Sequence, residues 1–136
     1  MRLDLTSFEE AIKRLDEGLA RYQGDITDTQ IRDGLIQRFE FTYELAHKTL
    51  KRYLESAAPN PEDIDRMAFQ DLIRTANEQT LLRGEWKNWK QYREMRSRTS
   101  HAYDEKMALQ VVEGIPDFLT EVAYLRDSLK GRIAGD

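Results

Sequence analysis

Three residues in the second half of the chain have side chains and a spacing suited to phosphate chemistry. Arg96 is followed after four residues by His101, and Tyr103 lies one residue further on. A histidine transfers protons near neutral pH, and an arginine holds a phosphate and stabilises the charge that develops on it. These two roles suffice for metal-independent RNA cleavage, in which the 2′-hydroxyl attacks the neighbouring phosphate. From these residues alone, the simpler interpretation of His101 is a helix cap that hydrogen-bonds to the backbone.

The spacing also limits how Arg96 and His101 can act together. On a continuous helix of about 3.6 residues per turn, their side chains point roughly 140° apart and cannot address one phosphate. Either the helix breaks near Ser100, or two copies of the chain supply the two groups. Without a break, Arg98 is the better-placed neighbour of His101 on the same helix.

The segment that precedes this string is basic and aromatic. Between residues 86 and 98 the single acid Glu94 stands against five basic residues, Lys87, Lys90, Arg93, Arg96 and Arg98. Interleaved with them are Trp86, Trp89 and Tyr92. Basic side chains attract phosphates and aromatic rings stack on unpaired bases, but helical spacing is also what a core requires. The pattern favours core packing for the aromatic residues, and it leaves the basic row as either a phosphate-binding or a solvated face.

Apolar residues recur at spacings of three and four along the chain, which predicts helices. We expect them at about residues 6–24, 28–56, 61–78, 85–98 and 104–132, with Asn60 as the cap and Pro61 as the first residue of the third. Long helices joined by short connections indicate an all-α, up-and-down antiparallel bundle with four main helices and a shorter one. The wide apolar faces leave room for a homodimer.

Length and composition limit the kinds of functional site that the chain can carry and indicate where in the cell it acts. The length of 136 residues suits one domain, so we expect residues 1–136 to form a single helical bundle. The absence of cysteine excludes disulfides, thiolate zinc sites and cysteine nucleophiles, and two histidines make a histidine-rich metal site improbable. No apolar run approaches the roughly 20 residues of a membrane helix, so we expect a cytoplasmic protein. With a net charge of -4, any nucleic-acid contact must be local.

Two blocks of this sequence resemble the family of nucleotidyltransferase substrate-binding proteins. The first runs from Arg38 to Leu54 and resembles the long second helix of that family. The second comprises Arg96, residues 99–101 and residues 103–105. Order, separation and helical pattern match over nearly the whole chain. The chain has His47 where the family often has tryptophan, and Ser97 where it often has asparagine.

The family is similar to the HEPN superfamily and to the HepT toxins of MntA–HepT modules. The resemblance implies a four- or five-helix bundle that dimerises, with a separate minimal nucleotidyltransferase (MntA-like) as partner. It implies that Arg96 and His101 act at a cleft between two protomers, without metal or other cofactor. In some modules the partner adds AMP to the motif tyrosine and silences the toxin, a role that would fall on Tyr103.

Two hypotheses about function follow. In the first, the chain is a HEPN-type endoribonuclease toxin that cleaves tRNA or another RNA: His101 transfers the proton and Arg96 holds the phosphate, while Tyr103 is modified or positions His101. Lys90, Arg93 and Arg98 would assist in binding RNA. In the second, the chain is a non-catalytic subunit that presents a substrate or nucleotide to the nucleotidyltransferase. A helical homodimer with no nucleotide role is a third interpretation. The presence of the tyrosine beside the arginine and histidine favours the first.

Overall fold

Six α-helices and one short 3-10 turn account for most of residues 3–135, the part of the chain that the computed structural model describes. The helices are α1 (Thr6–Gly24), α2 (Thr29–Ala57), α3 (Pro61–Asp65), α4 (Phe69–Glu78), α5 (Trp86–Arg98) and α6 (Glu105–Ala134), and the 3-10 turn spans Thr99–His101. No strand occurs in residues 3–135, so the predicted all-α class is confirmed. Within the same residues, no helix is long and apolar enough to span a membrane.

Several helix starts are fixed by local side chains. Asp28 accepts hydrogen bonds from the backbone N–H groups two and three residues on, both at 3.0 Å, and so caps α2. Asn60 caps α3 in the same way, with Pro61 as the first helical residue, as the sequence predicts. Asp104 accepts from the backbone N–H of Met107 at 3.1 Å and caps α6. These caps set where the long helices begin.

The region predicted as one helix over residues 61–78 is two helices, α3 and α4. The chain becomes extended at Ala68, where ψ is 153°, before α4 starts. On one straight helix, Ile64 and Phe69 would point roughly 140° apart. The interruption lets Ile64 be buried while Phe69 packs against Tyr43 and Trp86. Tertiary packing of these two side chains, with no local glycine or proline, therefore accounts for the break.

The core lies where the four longest helices meet. The α1 and α2 helices pack against each other and against α6, and α5 packs against α6 and α2. Phe118 of α6 is fully buried at the centre, with its ring centroid 4.8 Å from Phe39 and 5.2 Å from Tyr92. Since the connection between α1 and α2 is short, these neighbours run antiparallel, as predicted for an up-and-down bundle.

Polar bonds fasten α5 to α6 inside this core. The carboxylate of Glu121 is fully buried and accepts hydrogen bonds from the backbone N–H of Gly84 at 2.9 Å and from Trp89 Nε1 at 2.7 Å. The hydroxyl of Tyr92 donates to Asp117. These contacts fix the position of α5, the helix that carries Arg96, along α6.

The two helices also approach closely beside this network. A Cβ added at Gly114 of α6 would lie 2.4 Å from Sδ of Met95, which is almost completely buried on α5. A larger side chain at position 114 would therefore push the buried thioether out of its place. Gly131, further along α6, has open space around it, with nothing within 4 Å of such a Cβ.

Candidate functional site

The helix that carries Arg96 ends just before His101. The α5 helix stops at Arg98, the 3-10 turn follows over Thr99–His101, and α6 begins at Glu105. This is the break near Ser100 that the spacing allowed, and here it is confirmed. We refer to residues 99–104 as the motif turn. Within the turn His101 is exposed, and Tyr103 is 87% exposed with its ring centroid 6.1 Å from that of His101.

Arg96 is bound to α2. Its guanidinium lies 2.5 Å from Oε1 of Glu44 and 3.5 Å from Oε2 of Glu40. It also donates to the Thr99 hydroxyl at 3.2 Å. The hydrogen bond to Glu44, together with the charges of Glu40 and Glu44, raises the pKa of Arg96 above its ordinary value. These contacts give the guanidinium of Arg96 a defined orientation on α2.

The start of the motif turn is tied to α2 through Thr99. Its hydroxyl donates to Oε2 of Glu40 at 2.6 Å and accepts from Arg96. Glu40 thereby joins the end of α5 to the first residue of the turn. Three side chains, Arg96, Glu40 and Thr99, form one connected polar network.

The far end of the motif turn is tied to α2 by a second ion pair. Arg32, only 6% exposed, donates to both carboxylate oxygens of Glu105, at 2.8 and 2.9 Å. This two-bond pairing fixes orientation as well as distance. The hydrogen bond from Arg32 holds the pKa of Glu105 below its ordinary value. Since both ends of the turn are anchored on α2, the intervening His101 and Tyr103 project from a defined position.

The predicted RNA-binding residues lie along α5 at different depths. Lys90 and Arg93 are exposed and three residues apart, so they share one face of the helix, whereas Arg98 is half-buried near its end. In the described part of the chain, no carboxylate forms an ion pair with these three residues. The guanidinium of Arg93 lies 5.8 Å from the ring centroid of Phe69. A basic face of Lys90 and Arg93 thus runs toward Arg96.

A groove of about 440 Å³ lies between α2 and the motif turn. Tyr103, Thr99 and Ser100 line one side of it, and Asp33 and Glu40 line the other. Among the described residues that line it, none is basic. With two carboxylates and no basic side chain in its described lining, this groove is unfavourable for a phosphate backbone.

The aromatic residues of α5 belong to the core, as the pattern favoured. Trp89 and Tyr92 are at most 1% exposed, so neither ring is open for stacking on a base. Trp86 is half-buried, and its ring meets Phe69 at 5.8 Å. Base stacking by Trp89 and Tyr92, the other interpretation of this segment, is wrong.

Comparison with known proteins identifies the family. A family described as "Nucleotidyltransferase substrate binding protein like" matches residues 3–131. The chain belongs to this family. It is 38% identical over 127 residues to a protein of Haemophilus influenzae (strain ATCC 51907 / DSM 11121 / KW20 / Rd) named "Probable ribonuclease HepT", covering 93% of this chain and 86% of that protein.

A solved structure from Haemophilus influenzae agrees with the bundle. It superposes with a TM-score of 0.87 at 34% identity, covering 93% of this chain and 99% of the other. That structure is described as revealing the fold of a substrate-binding domain of a nucleotidyltransferase. The expected relation to nucleotidyltransferase substrate-binding proteins and to HepT-like proteins is confirmed.

His47 and Ser97, the two positions where we expect a departure from the family pattern, both have local partners. His47 is half-buried with its ring centroid 4.7 Å from that of Phe69. Burial, together with the charges of Lys51 and Arg93, lowers the pKa of His47. The hydroxyl of Ser97 donates to the backbone carbonyl of Glu94 at 2.7 Å. His47 therefore packs on Phe69, and Ser97 turns back on its own helix.

Sequence reasoning missed the residues of α2 that support the motif. Glu40 and Glu44 contact Arg96, and Arg32 contacts Glu105, across 52 to 73 positions of sequence. One signal was present, because Glu40 and Glu44 are four residues apart and share a helix face. Within residues 3–135, no group of three or more His, Asp or Glu residues is arranged to hold a metal ion.

Proposed function

We propose that this protein is the toxin of a two-gene toxin–antitoxin module, a HEPN-type endoribonuclease that works without a metal. The observation that carries the proposal is the motif turn, which exposes His101 and Tyr103 directly after the end of the helix that carries an anchored Arg96. The similarity to a protein named as a probable ribonuclease supports the same conclusion. The substrate is tRNA or another RNA, and the site of action is the cytoplasm.

The proposed reaction uses the chain's own side chains. His101 takes the proton of an RNA 2′-hydroxyl, whose oxygen then attacks the adjacent phosphorus. The bond between phosphorus and the 5′-oxygen breaks, and that oxygen leaves as a hydroxyl after it receives a proton. Arg96 stabilises the negative charge that builds up on the phosphoryl oxygens. The products are a 2′,3′-cyclic phosphate and a 5′-hydroxyl.

In the proposed homodimer, two copies of the motif turn face one cleft. His101 of one copy removes the first proton, and His101 of the other supplies the second. Lys90, Arg93 and Arg98 bind the flanking phosphates, because basic side chains attract the RNA backbone in a salt-dependent way. RNA approaches from this basic face, away from the acidic groove lined by Asp33 and Glu40.

A minimal nucleotidyltransferase of the MntA type is proposed to restrain this activity through Tyr103. The Tyr103 hydroxyl would attack the α-phosphate of ATP, forming a phosphodiester to AMP and releasing pyrophosphate. The exposure of Tyr103 makes it accessible to another protein. The added nucleotide would place bulk and a negative charge beside His101, since the two rings are 6.1 Å apart. RNA phosphate would then be excluded from the site.

The experiment that tests the activity is incubation of purified protein with bulk tRNA in EDTA. His101→Ala is the test variant, and His47→Ala is the matched control because it removes the other histidine, which lies on α2 and packs on Phe69. We expect cleavage by the parent and by His47→Ala and none by His101→Ala. Equal cleavage by His101→Ala would refute the assignment.

One observation favours a second function, a non-catalytic subunit that presents substrate to the nucleotidyltransferase. The similar solved structure is described as a nucleotidyltransferase substrate-binding domain. For this function, the protein should bind a nucleotide such as ATP in titration calorimetry and should leave tRNA intact although mass spectrometry finds Tyr103 unmodified. Cleavage of tRNA by the parent would contradict a purely non-catalytic role.

A further inference from the structure

The two glutamates that hold Arg96 differ in their other contacts. Glu40 has a 33% exposed side chain, and it also accepts the hydroxyl hydrogen of Thr99. Glu44 has a 56% exposed side chain, and within the described residues Arg96 is its one side-chain partner. Glu40 is therefore part of the network that shapes the motif turn, whereas the side chain of Glu44 is bonded, among the described residues, to the arginine alone.

The contact of Glu44 uses the part of Arg96 that a phosphate would use. The guanidinium binds carboxylates and phosphates through the same planar set of N–H donors. One terminal nitrogen of Arg96 is bonded to Glu44, while the other is near Glu40 and bonded to Thr99. A phosphate that approaches from solvent therefore meets an arginine edge that a carboxylate already occupies.

This contact is also exchangeable. Ion pairs between solvent-accessible side chains contribute little net stability, because water solvates the separated partners well. Glu44 is more than half exposed, and its aliphatic stem can turn toward solvent without breaking another side-chain bond in the described part of the chain. Glu40 and Thr99 would keep the arginine in place while this happens.

We propose that Glu44 is a built-in competitor for Arg96, which an RNA phosphate must displace before the arginine can act in cleavage. Glu40 and Thr99 are positioning residues that hold Arg96 during the exchange. The identity of the displacing anion as RNA phosphate rests on the proposed function. The exchange limits binding of isolated phosphates and selects for RNA that also contacts Lys90 and Arg93.

The first test measures binding of an RNA oligonucleotide with 2′-O-methyl groups, which cannot be cleaved, by fluorescence anisotropy. Glu44→Gln removes the competing charge, and we expect it to tighten binding about threefold, the range set by an exposed ion pair. Glu94→Gln is the matched control, because Glu94 is exposed on α5 and forms no ion pair within residues 3–135. It changes the net charge by the same amount but does not release Arg96, so we expect it to tighten RNA binding less than Glu44→Gln does.

A second set of measurements tests whether the tighter RNA binding of Glu44→Gln depends on Arg96. In an Arg96→Ala background, the added Glu44→Gln substitution should no longer improve binding beyond the effect of Glu94→Gln. Reaction of Arg96 with phenylglyoxal, followed by mass spectrometry, should be faster in Glu44→Gln than in the parent. A gain that persists without Arg96, or unchanged arginine reactivity, would overturn the inference. Faster reaction without tighter RNA binding would overturn it as well, because Glu44 would not then compete with phosphate.

Steady-state kinetics distinguish the positioning role of Glu40 from the competition by Glu44. We expect Glu40→Gln to lower kcat for RNA cleavage without lowering KM, whereas Glu44→Gln lowers KM. Tighter RNA binding by Glu40→Gln equal to that of Glu44→Gln would contradict the different roles. If Glu44→Gln binds RNA more tightly and no variant cleaves it, the proposed ribonuclease function fails while the competition stands.

Discussion

Substitution of Trp89 by phenylalanine tests whether the buried polar network holds α5 in place. The change removes the Nε1–H that donates to Glu121 at 2.7 Å, in a site where both residues are completely buried. Glu121 then keeps only the backbone N–H of Gly84. A hydrogen bond to a buried charged group contributes about 1.5–3 kcal/mol, and the space left by the smaller ring costs about 1–2 kcal/mol more. We expect a loss of about 2.5–5 kcal/mol in the free energy of unfolding.

Tyr92→Phe is the matched control on the same helix. It also removes one hydrogen bond to a carboxylate, but Asp117 is 50% exposed, so water can take the place of the hydroxyl. We expect a loss of about 0.5–1.5 kcal/mol, the net value of an ordinary hydrogen bond.

Urea unfolding followed by far-UV circular dichroism measures both losses on the same scale. Trp89→Phe should cost at least about 1 kcal/mol more than Tyr92→Phe, and its own loss should be a large part of the roughly 5–15 kcal/mol that stabilises a typical domain. Equal losses would refute the reasoning, because they would mean that the buried bond to Glu121 contributes no more than the half-exposed bond to Asp117.

Three further predictions concern the motif turn and α6. The hydrogen-bonded pair with Arg32 lowers the pKa of Glu105, so it stabilises the fold at pH values above the ordinary carboxyl pKa and ceases to do so as the pH falls through the lowered pKa. In urea titrations, the difference in free energy of unfolding between the parent and Glu105→Gln should therefore narrow in acid. A difference that stays constant with pH would contradict the pairing with Arg32. Gly114→Ala should destabilise the protein by about 1–3 kcal/mol through overpacking, while Gly131→Ala, in open space, should not; equal thermal shifts would contradict this. Tyr103→Phe should change unfolding by less than about 0.5 kcal/mol yet abolish AMP attachment by the partner with ATP, whereas undiminished labelling would place the modification elsewhere.

Most helices could be predicted from the sequence, because their apolar spacing and their caps are local signals. The α1 start at Thr6, the Asn60–Pro61 cap and the break after Arg98 all follow the pattern. The core position of Trp89 was favoured for the same reason: helical spacing places it on the apolar face of α5. Local rules suffice for these features.

The split between α3 and α4 could not be predicted, because it depends on where Ile64 and Phe69 find partners on other helices. The same limit applies to the site. The spacing of Arg96 and His101 allowed either a break in the helix or a site shared by two copies, and it contained no information on which acids would meet the arginine. Glu40 and Glu44 become its neighbours only when α2 and α5 pack together.

The central claim is that His101 and Arg96 cleave RNA by attack of a 2′-hydroxyl, and the chemistry of the product ends tests it most directly. We would incubate the parent protein with tRNA in EDTA and identify the ends of the fragments by mass spectrometry, with His101→Ala in parallel. The account predicts 2′,3′-cyclic phosphates and 5′-hydroxyls with the parent and intact tRNA with His101→Ala. Fragments with 3′-hydroxyls and 5′-phosphates, or uncut tRNA with a parent whose Tyr103 is unmodified, would contradict it.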